Sequence, residues 1–310
     1  MVFRRTVLSV ARSDRLRSLV SGSGVTRGVV NRFVAGEDAD SVVAAVRDLT
    51  GRGLLASIDH LGEDTLHPEQ ATGVTRGYVR LLERLAEEGL TPAAEVSVKP
   101  TAVGLGLGAE GESLAAANIA RICAAARDAG TTVTVDMEAE DAVPATLRIV
   151  NGLRGDFPWL GCVLQSYLRR TEGDLAAMAR PGARIRLCKG AYAPDPGSAH
   201  TDRRDVDAAY VRALRRLMTG PALPMVATHD PRLIEIAGTL AALAHRSTEE
   251  FEYQMLYGVR PDEQLRLVDL GARVRVYVPY GRDWYGYLAR RLAERPANLA
   301  FAARSLVSRS

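Results

Sequence analysis

The chain has 310 residues, 47% of them apolar and 25% charged, with a formal net charge of +3. That is apolar material for a full core, which excludes disorder, and length for one large α/β domain or two small ones. The balanced charge without a dense basic tract leaves no footprint for nucleic acid, and no apolar run reaches the roughly 18–20 residues of a membrane span.

In chain order, the first residues, Met1 to Leu19, are basic and apolar with no acid before Asp14. They read as an amphipathic opening helix, with a mild likeness to a transit peptide. Residues 1–50 read as a helical arm of two or three helices ahead of a catalytic unit over 51–310. From there, β-branched apolar runs alternate with helix-length amphipathic stretches. The runs are Leu54–Asp59, Ala94–Pro100, Thr132–Glu138, Leu160–Tyr167, Arg184–Tyr192, Leu223–His229, Phe251–Leu256 and Arg273–Tyr280. The helical stretches lie near 68–89, 112–130, 142–154, 171–180, 202–219, 231–245, 261–271 and 283–294. Strand then helix, eight times over, predicts a (β/α)8 barrel of the TIM type, since an open doubly wound sheet usually stops earlier. The three cysteines, Cys123, Cys162 and Cys188, share no metal-ligand spacing, and an odd count completes no intrachain disulfide set. A reducing, cytoplasmic setting follows.

In this architecture chemistry sits at the C-terminal strand ends. Those ends carry Asp59 and Glu63, Lys99, Asp136 and Glu138, Gln165 and Tyr167, Lys189 and Tyr192, Thr228 to Asp230, Gln254 and Leu256, and Tyr277 with Tyr280. Lys99 and Lys189 are the only lysines among 40 basic residues. Lysine is a compact charge that can approach a reacting centre, unlike the broad arginine fork. The bland explanation is compositional drift toward arginine, but both lysines close strands of one barrel.

Gly106-Leu107-Gly108-Ala109-Glu110-Gly111 matches GxGxxG, yet a glycine-rich βα loop needs no dinucleotide. The five histidines show no HExxH spacing, so a metal site is not expected. On the last helical stretch Tyr287, Arg290 and Glu294 share a face, with Arg291 beside it. Paired arginines suit bidentate carboxylate recognition, although a solvated helix in an arginine-rich chain would look similar.

Taken together, Ser-Val-Lys (97–99), Val-Asp-Met-Glu (135–138), Val-Leu-Gln (163–165), Arg-Leu-Cys-Lys-Gly-Ala-Tyr (186–192), Ala-Thr-His-Asp (227–230), Phe-Glu-Tyr-Gln-Met-Leu-Tyr-Gly (251–258), Val-Tyr-Val-Pro-Tyr-Gly (276–281) and Tyr-Leu-Ala-Arg-Arg-Leu-Ala-Glu (287–294) resemble proline dehydrogenases of the short, monofunctional bacterial form. The resemblance runs in order from about residue 50 to 300, and Cys188 departs from it where an aliphatic residue is expected.

The resemblance implies FAD held over a (β/α)8 barrel and oxidation of L-proline to Δ1-pyrroline-5-carboxylate, with hydride passing from C5 to flavin N5. It implies that Lys99, Arg290 and Arg291 bind the proline carboxylate. Tyr192, Leu256, Tyr277 and Tyr287 would wall the ring. Met137, Gln165, Arg186, Lys189, Gly190, Ala191, Thr228, His229, Gln254 and Glu294 would contact the flavin, with Arg186 near its N5. Asp136 would stand beside the reacting centre, orienting Lys99 or tuning the flavin, and Glu63 would pair with Arg290 to close the site. Electrons would pass to a membrane quinone through peripheral contact at the inner face, and the product to a separate pyrroline-5-carboxylate dehydrogenase. Alternatives are a relative acting on hydroxyproline or another cyclic amino acid, a Schiff-base aldolase using Lys99, and a non-catalytic barrel.

Overall fold

The fold is described from a computed structural model, for residues 30–63 and 65–288. Eight parallel strands close into a barrel in simple sequential order, with the eighth pairing the first. Each expected strand is present. They are β1 (Leu55–His60), β2 (Ala94–Val98), β3 (Val133–Val135), β4 (Gly161–Gln165), β5 (Arg184–Cys188), β6 (Leu223–Ala227), β7 (Glu252–Leu256) and β8 (Val274–Tyr280). Helix α1 (Ala39–Gly51) precedes β1, and α2 (Pro68–Glu87), α3 (Gly111–Asp128), α4 (Val143–Leu153), α5 (Thr171–Met178), α6 (Arg203–Thr219), α7 (Pro231–Leu243) and α8 (Pro261–Asp269) follow the first seven strands. Residues 284–288 are helical, and the rest of the expected last helix lies outside the described residues.

Local chemistry sets these boundaries. Prolines begin α2, α7 and α8, where a missing N–H costs nothing. Asp38, Asp202 and Asp230 cap α1, α6 and α7 through their side chains. The fifth strand ends earlier than the run Arg184–Tyr192 predicts, at Cys188, because Gly190 turns the chain at φ +113. A Cβ there would fall 2.1 Å from the Tyr167 ring, so only glycine fits.

Apolar side chains between strands and helices form the main core, with Ile58, Val96, Leu164, Ile185, Tyr78 and Tyr210 among its buried members. A second, small cluster joins Val30, Phe33, Val34 and Leu61 to Tyr287 and Leu288. The backbone ties this segment to the end of β8, where Ala35 N donates to Pro279 O at 2.9 Å and Gly281 N to Gly36 O at 2.9 Å. The stretch Met1 to Leu19 lies outside the described residues.

Inside the barrel, strand alternation delivers polar side chains in layers. The lowest layer is ionic and buried. Arg275 Nε donates to Glu252 Oε1 at 2.9 Å, and Arg184 sits 2.6 Å from Glu95. Thr132 and Thr134 hydroxyls also donate to Glu95. Burial opposes the Glu95 charge, but Arg184, Arg275 and Arg186 outweigh it and hold the carboxyl well below its ordinary value. Glu252 is lowered in the same way, burial being overcome by Arg275 and Arg184.

Candidate active site

Above that layer lies Arg186, two residues before the end of β5 and 5% exposed. Its Nε donates to Gln254 Oε1, its NH1 to Ser97 Oγ at 2.9 Å and to Asp136 Oδ1 at 2.7 Å, and its NH2 to Ser57 Oγ at 3.1 Å. Gln254 in turn donates to Glu252 Oε1 at 2.6 Å. A guanidinium held on three sides of its fork has a fixed orientation, and the buried ionic layer is the support beneath it.

The top layer is the strand-end ring. Lys99, immediately after β2, donates to Asp59 of β1 and, at 3.2 Å, to the Tyr277 hydroxyl of β8. Tyr277 OH donates to Asp136 Oδ2 at 2.6 Å, and Lys99 Nζ lies 3.9 Å from the same oxygen. Asp136 therefore joins Lys99, Tyr277 and Arg186. Burial opposes the Lys99 charge, but Asp59, Asp136 and Glu63 more than offset it and raise the ammonium above its ordinary value. A Schiff-base lysine needs the opposite shift, so this arrangement makes Lys99 a fixed cation. Burial, with Asp136 adding to it, raises the Asp59 carboxyl, and Lys99 opposes that rise. The other Asp59 oxygen, Oδ1, has no hydrogen-bond partner among the described residues.

These groups open onto a cavity of about 810 Å³. Lys99, Asp136 and Tyr277 line it together with Leu256, Tyr192 and Tyr287, so charged and apolar side chains share its wall. Met137, Val163, Gln165, Arg186, Cys188 and Gln254 line it as well. So do Lys189, Gly190, Ala191, Thr228, His229 and Asp230, the last just before the start of α7 at Pro231. Lys189 is ion-paired with Asp207 at 2.5 Å and Asp230 at 3.3 Å. The Leu256 N–H donates to His229 Nε2 at 2.9 Å, which places the imidazole proton on Nδ1. Gly111 of the GxGxxG match is not at the cavity. A Cβ there would sit 2.4 Å from Leu105 O, so this glycine serves a tight turn.

All the described residues that the resemblance assigns to the site line one cavity, except Glu63, which stands in the loop after β1; of the strand-end ring, Asp59, Glu138 and Tyr280 do not line it. Arg290, Arg291 and Glu294 lie outside the described residues, and with them the expected Glu63–Arg290 pair. Three contributors carry no assignment from sequence: Asp59 as the partner of Lys99, Ser97 beneath Asp136, and Glu252 behind Gln254. The signal was present as polar alternation, Glu95-Ser97-Lys99 on β2 and Ser57-Asp59 on β1.

A closed barrel whose strand ends fix a lysine, two carboxylates and an arginine beside a large cavity defines a barrel enzyme with its chemistry at the C-terminal face. The proline dehydrogenase family model matches residues 42–304, and the chain belongs to that family. It is 37% identical over 308 residues to a proline dehydrogenase of Deinococcus radiodurans, covering 99% of this chain and 98% of that one. It is 35% identical over 308 residues to proline dehydrogenase 1 of Bacillus subtilis, covering 99% and 100%. Among solved structures, proline utilization A of Bdellovibrio bacteriovorus inactivated by N-propargylglycine superposes with a TM-score of 0.80 at 26% identity. The match covers 87% of this chain and 33% of that one, so the chain spans about a third of that protein.

Proposed function

We propose that this proline dehydrogenase oxidises L-proline to Δ1-pyrroline-5-carboxylate with FAD as its cofactor and a membrane quinone as the acceptor. The observation that carries the reading is the Lys99–Asp136–Tyr277–Arg186 cluster lining a cavity much larger than an amino acid needs. A cavity of about 810 Å³ has room for a cofactor beside a small substrate. Its chemistry fits a flavin. Met137 and Val163 offer apolar contact, Arg186 and Gln165 offer polar edges, and the cations Lys189 and Arg203 suit the phosphates. Gly190, Ala191, Thr228, His229 and Gln254 complete the lining, and Glu294 joins by family resemblance. When bound, the flavin supplies the two-electron acceptor for the C–H bond beside the ring nitrogen.

The protein's residues supply position and charge. Lys99 stays protonated through Asp59 and faces the substrate carboxylate, with Arg290 and Arg291 assigned to the same carboxylate by family resemblance. Tyr192, Leu256, Tyr277 and Tyr287 wall the apolar ring, so that C5 is presented in one orientation. Asp136 holds Tyr277 and Arg186 in register beside it. The ring nitrogen must be neutral when it reacts, and a paired, already satisfied Lys99 does not compete for that proton.

Electron transfer to a quinone places the protein in the cytoplasm and at the inner membrane face, with Met1 to Leu19 as the membrane-touching stretch. The product is a reactive imine and passes to a separate pyrroline-5-carboxylate dehydrogenase. Turnover of L-proline with an artificial dye, a soluble quinone and NAD in parallel tests the reading. Dye and quinone reduction with the imine product trapped is the expected result, while absence of proline-dependent dye reduction, or robust NAD reduction, contradicts it.

A further inference from the structure

The β3 end carries a buried acid that the proposed chemistry does not use. Glu138 is 3% exposed. Its carboxyl grips Thr101 twice, accepting from Thr101 N at 2.9 Å and from Thr101 Oγ1 at 2.5 Å. Thr101 opens the short turn Thr101–Val103 that follows Lys99, and Ala102 N donates back to Lys99 O at 3.1 Å. The Thr101 carbonyl accepts from Thr65 Oγ1 at 2.9 Å and from Thr65 N at 3.4 Å. Thr65 lies two residues beyond Glu63, in the loop after β1. From the other side, Gln165 Nε2 of β4 donates to the Glu138 carbonyl at 2.9 Å. A single carboxyl is thus linked through one threonine to both the Lys99 turn and the Glu63 loop.

We infer that Glu138 is a positioning residue that ties the loop carrying Glu63 to the turn carrying Lys99 through Thr101, so that one buried carboxylate sets how that loop sits against the Lys99 turn. The inference rests on the proline-oxidising reading for its kinetic arm only.

The tie responds to protons. The charged and polar groups facing Glu138 are Glu63 from the loop after β1, Lys99 from the end of β2 and Thr101 from the turn. Burial pushes the carboxyl up, the two Thr101 bonds oppose that, Glu63 adds to it and Lys99 subtracts, with the result at about 7. The ionised carboxylate accepts both Thr101 donors as charge-assisted bonds. The neutral acid has one oxygen carrying a proton and loses that reciprocity. The tie therefore tightens as pH rises through 7.

Glu138→Gln freezes the neutral state in the same shape. In steady-state assays with L-proline, the wild-type to Glu138→Gln ratio of kcat/KM should be near one at pH 5.5. It should rise to about 5- to 10-fold at pH 8.5, the difference between a neutral and a charge-assisted bond. Most of the change should fall in KM. Thr65→Val, which keeps the loop's bulk and removes only the hydroxyl, should raise KM about 3-fold. By hydrogen exchange, the Glu63 and Thr65 amides should lose protection in both variants at pH 8 while the β1 amides keep theirs. That arm needs no substrate, so it decides the inference independently of whether proline is the substrate. A pH-independent ratio, or unchanged protection at Glu63 and Thr65 in both variants, overturns it.

Discussion

Replacing Lys99 with methionine separates what that residue does for folding from what it does for the substrate. Lys99 and Asp59 are both buried, with side chains 6% and 0% exposed. Removing the ammonium leaves the Asp59 carboxyl enclosed beside Asp136, with its Oδ1 already lacking a hydrogen bond among the described residues. Breaking a buried pair from one side costs about 3–5 kcal/mol, because the remaining charge is uncompensated. At about 2–4 °C per kcal/mol for a domain of this size, Tm should fall by roughly 6–20 °C. In Lys99→Met/Asp59→Asn the stranded charge is gone, and more than half of the loss should return. Urea unfolding with an unchanged m-value reads the stability directly. The KM for proline should behave differently, because both variants lack the cation proposed to face the carboxylate. It should rise about 10- to 150-fold in each, the loss of a charge-assisted bond worth about 1.5–3 kcal/mol. A loss below about 1 kcal/mol in the single variant would show that Asp59 does not depend on Lys99. Recovery of KM in the double variant would show that Lys99 does not hold the carboxylate.

Other outcomes follow from the same layers. Tyr277 reaches over the site with its hydroxyl bonded to Asp136 and Lys99, so the wild type should prefer proline over 4-hydroxyproline. Tyr277→Ser should narrow that preference and lower proline turnover, measured as the ratio of the two kcat/KM values; equal use of both substrates by the wild type would refute the steric argument. Glu95 and Glu252 are held below their ordinary values by the arginines around them, after burial has been overcome. Their stabilisation is present above the unfolded carboxylate range near pH 4.5 and is lost as pH falls toward their folded values. Urea midpoints should therefore drop steeply below about pH 4 in the wild type, and an acid-insensitive midpoint between pH 5 and 3 would count against an ionised lowest layer.

The architecture was legible because eight β-branched runs, each followed by a 3.6-period stretch, admit few closed arrangements. All eight strands appear, displaced from the expected bounds by the residues that turn the chain, such as Gly190 after β5. The ring of Lys99, Asp136, Gln165 and Tyr277 was legible for a related reason, since strand ends in a barrel converge, while Arg186, one layer below, was assigned only through the family resemblance. The pairing within the ring was not. Asp59 reads as one more strand-end acid, and nothing in a run of letters says that it faces Lys99 from the neighbouring strand. Likewise Glu95 and Glu252 look like strand interruptions until closure brings Arg184 and Arg275 across the interior. Glu138 escapes a role for another reason. Its partner is the backbone and hydroxyl of Thr101, and backbone donors leave no trace in composition.

The most direct test of the central claim is the absorbance spectrum of the purified protein before and after L-proline under anaerobic conditions. A non-covalent flavin spectrum that bleaches on addition of L-proline, with a slower response in Lys99→Met at the same proline concentration, is the result the proposed function predicts. A colourless protein that cannot be reconstituted with FAD, or a flavin that proline leaves oxidised, would contradict it.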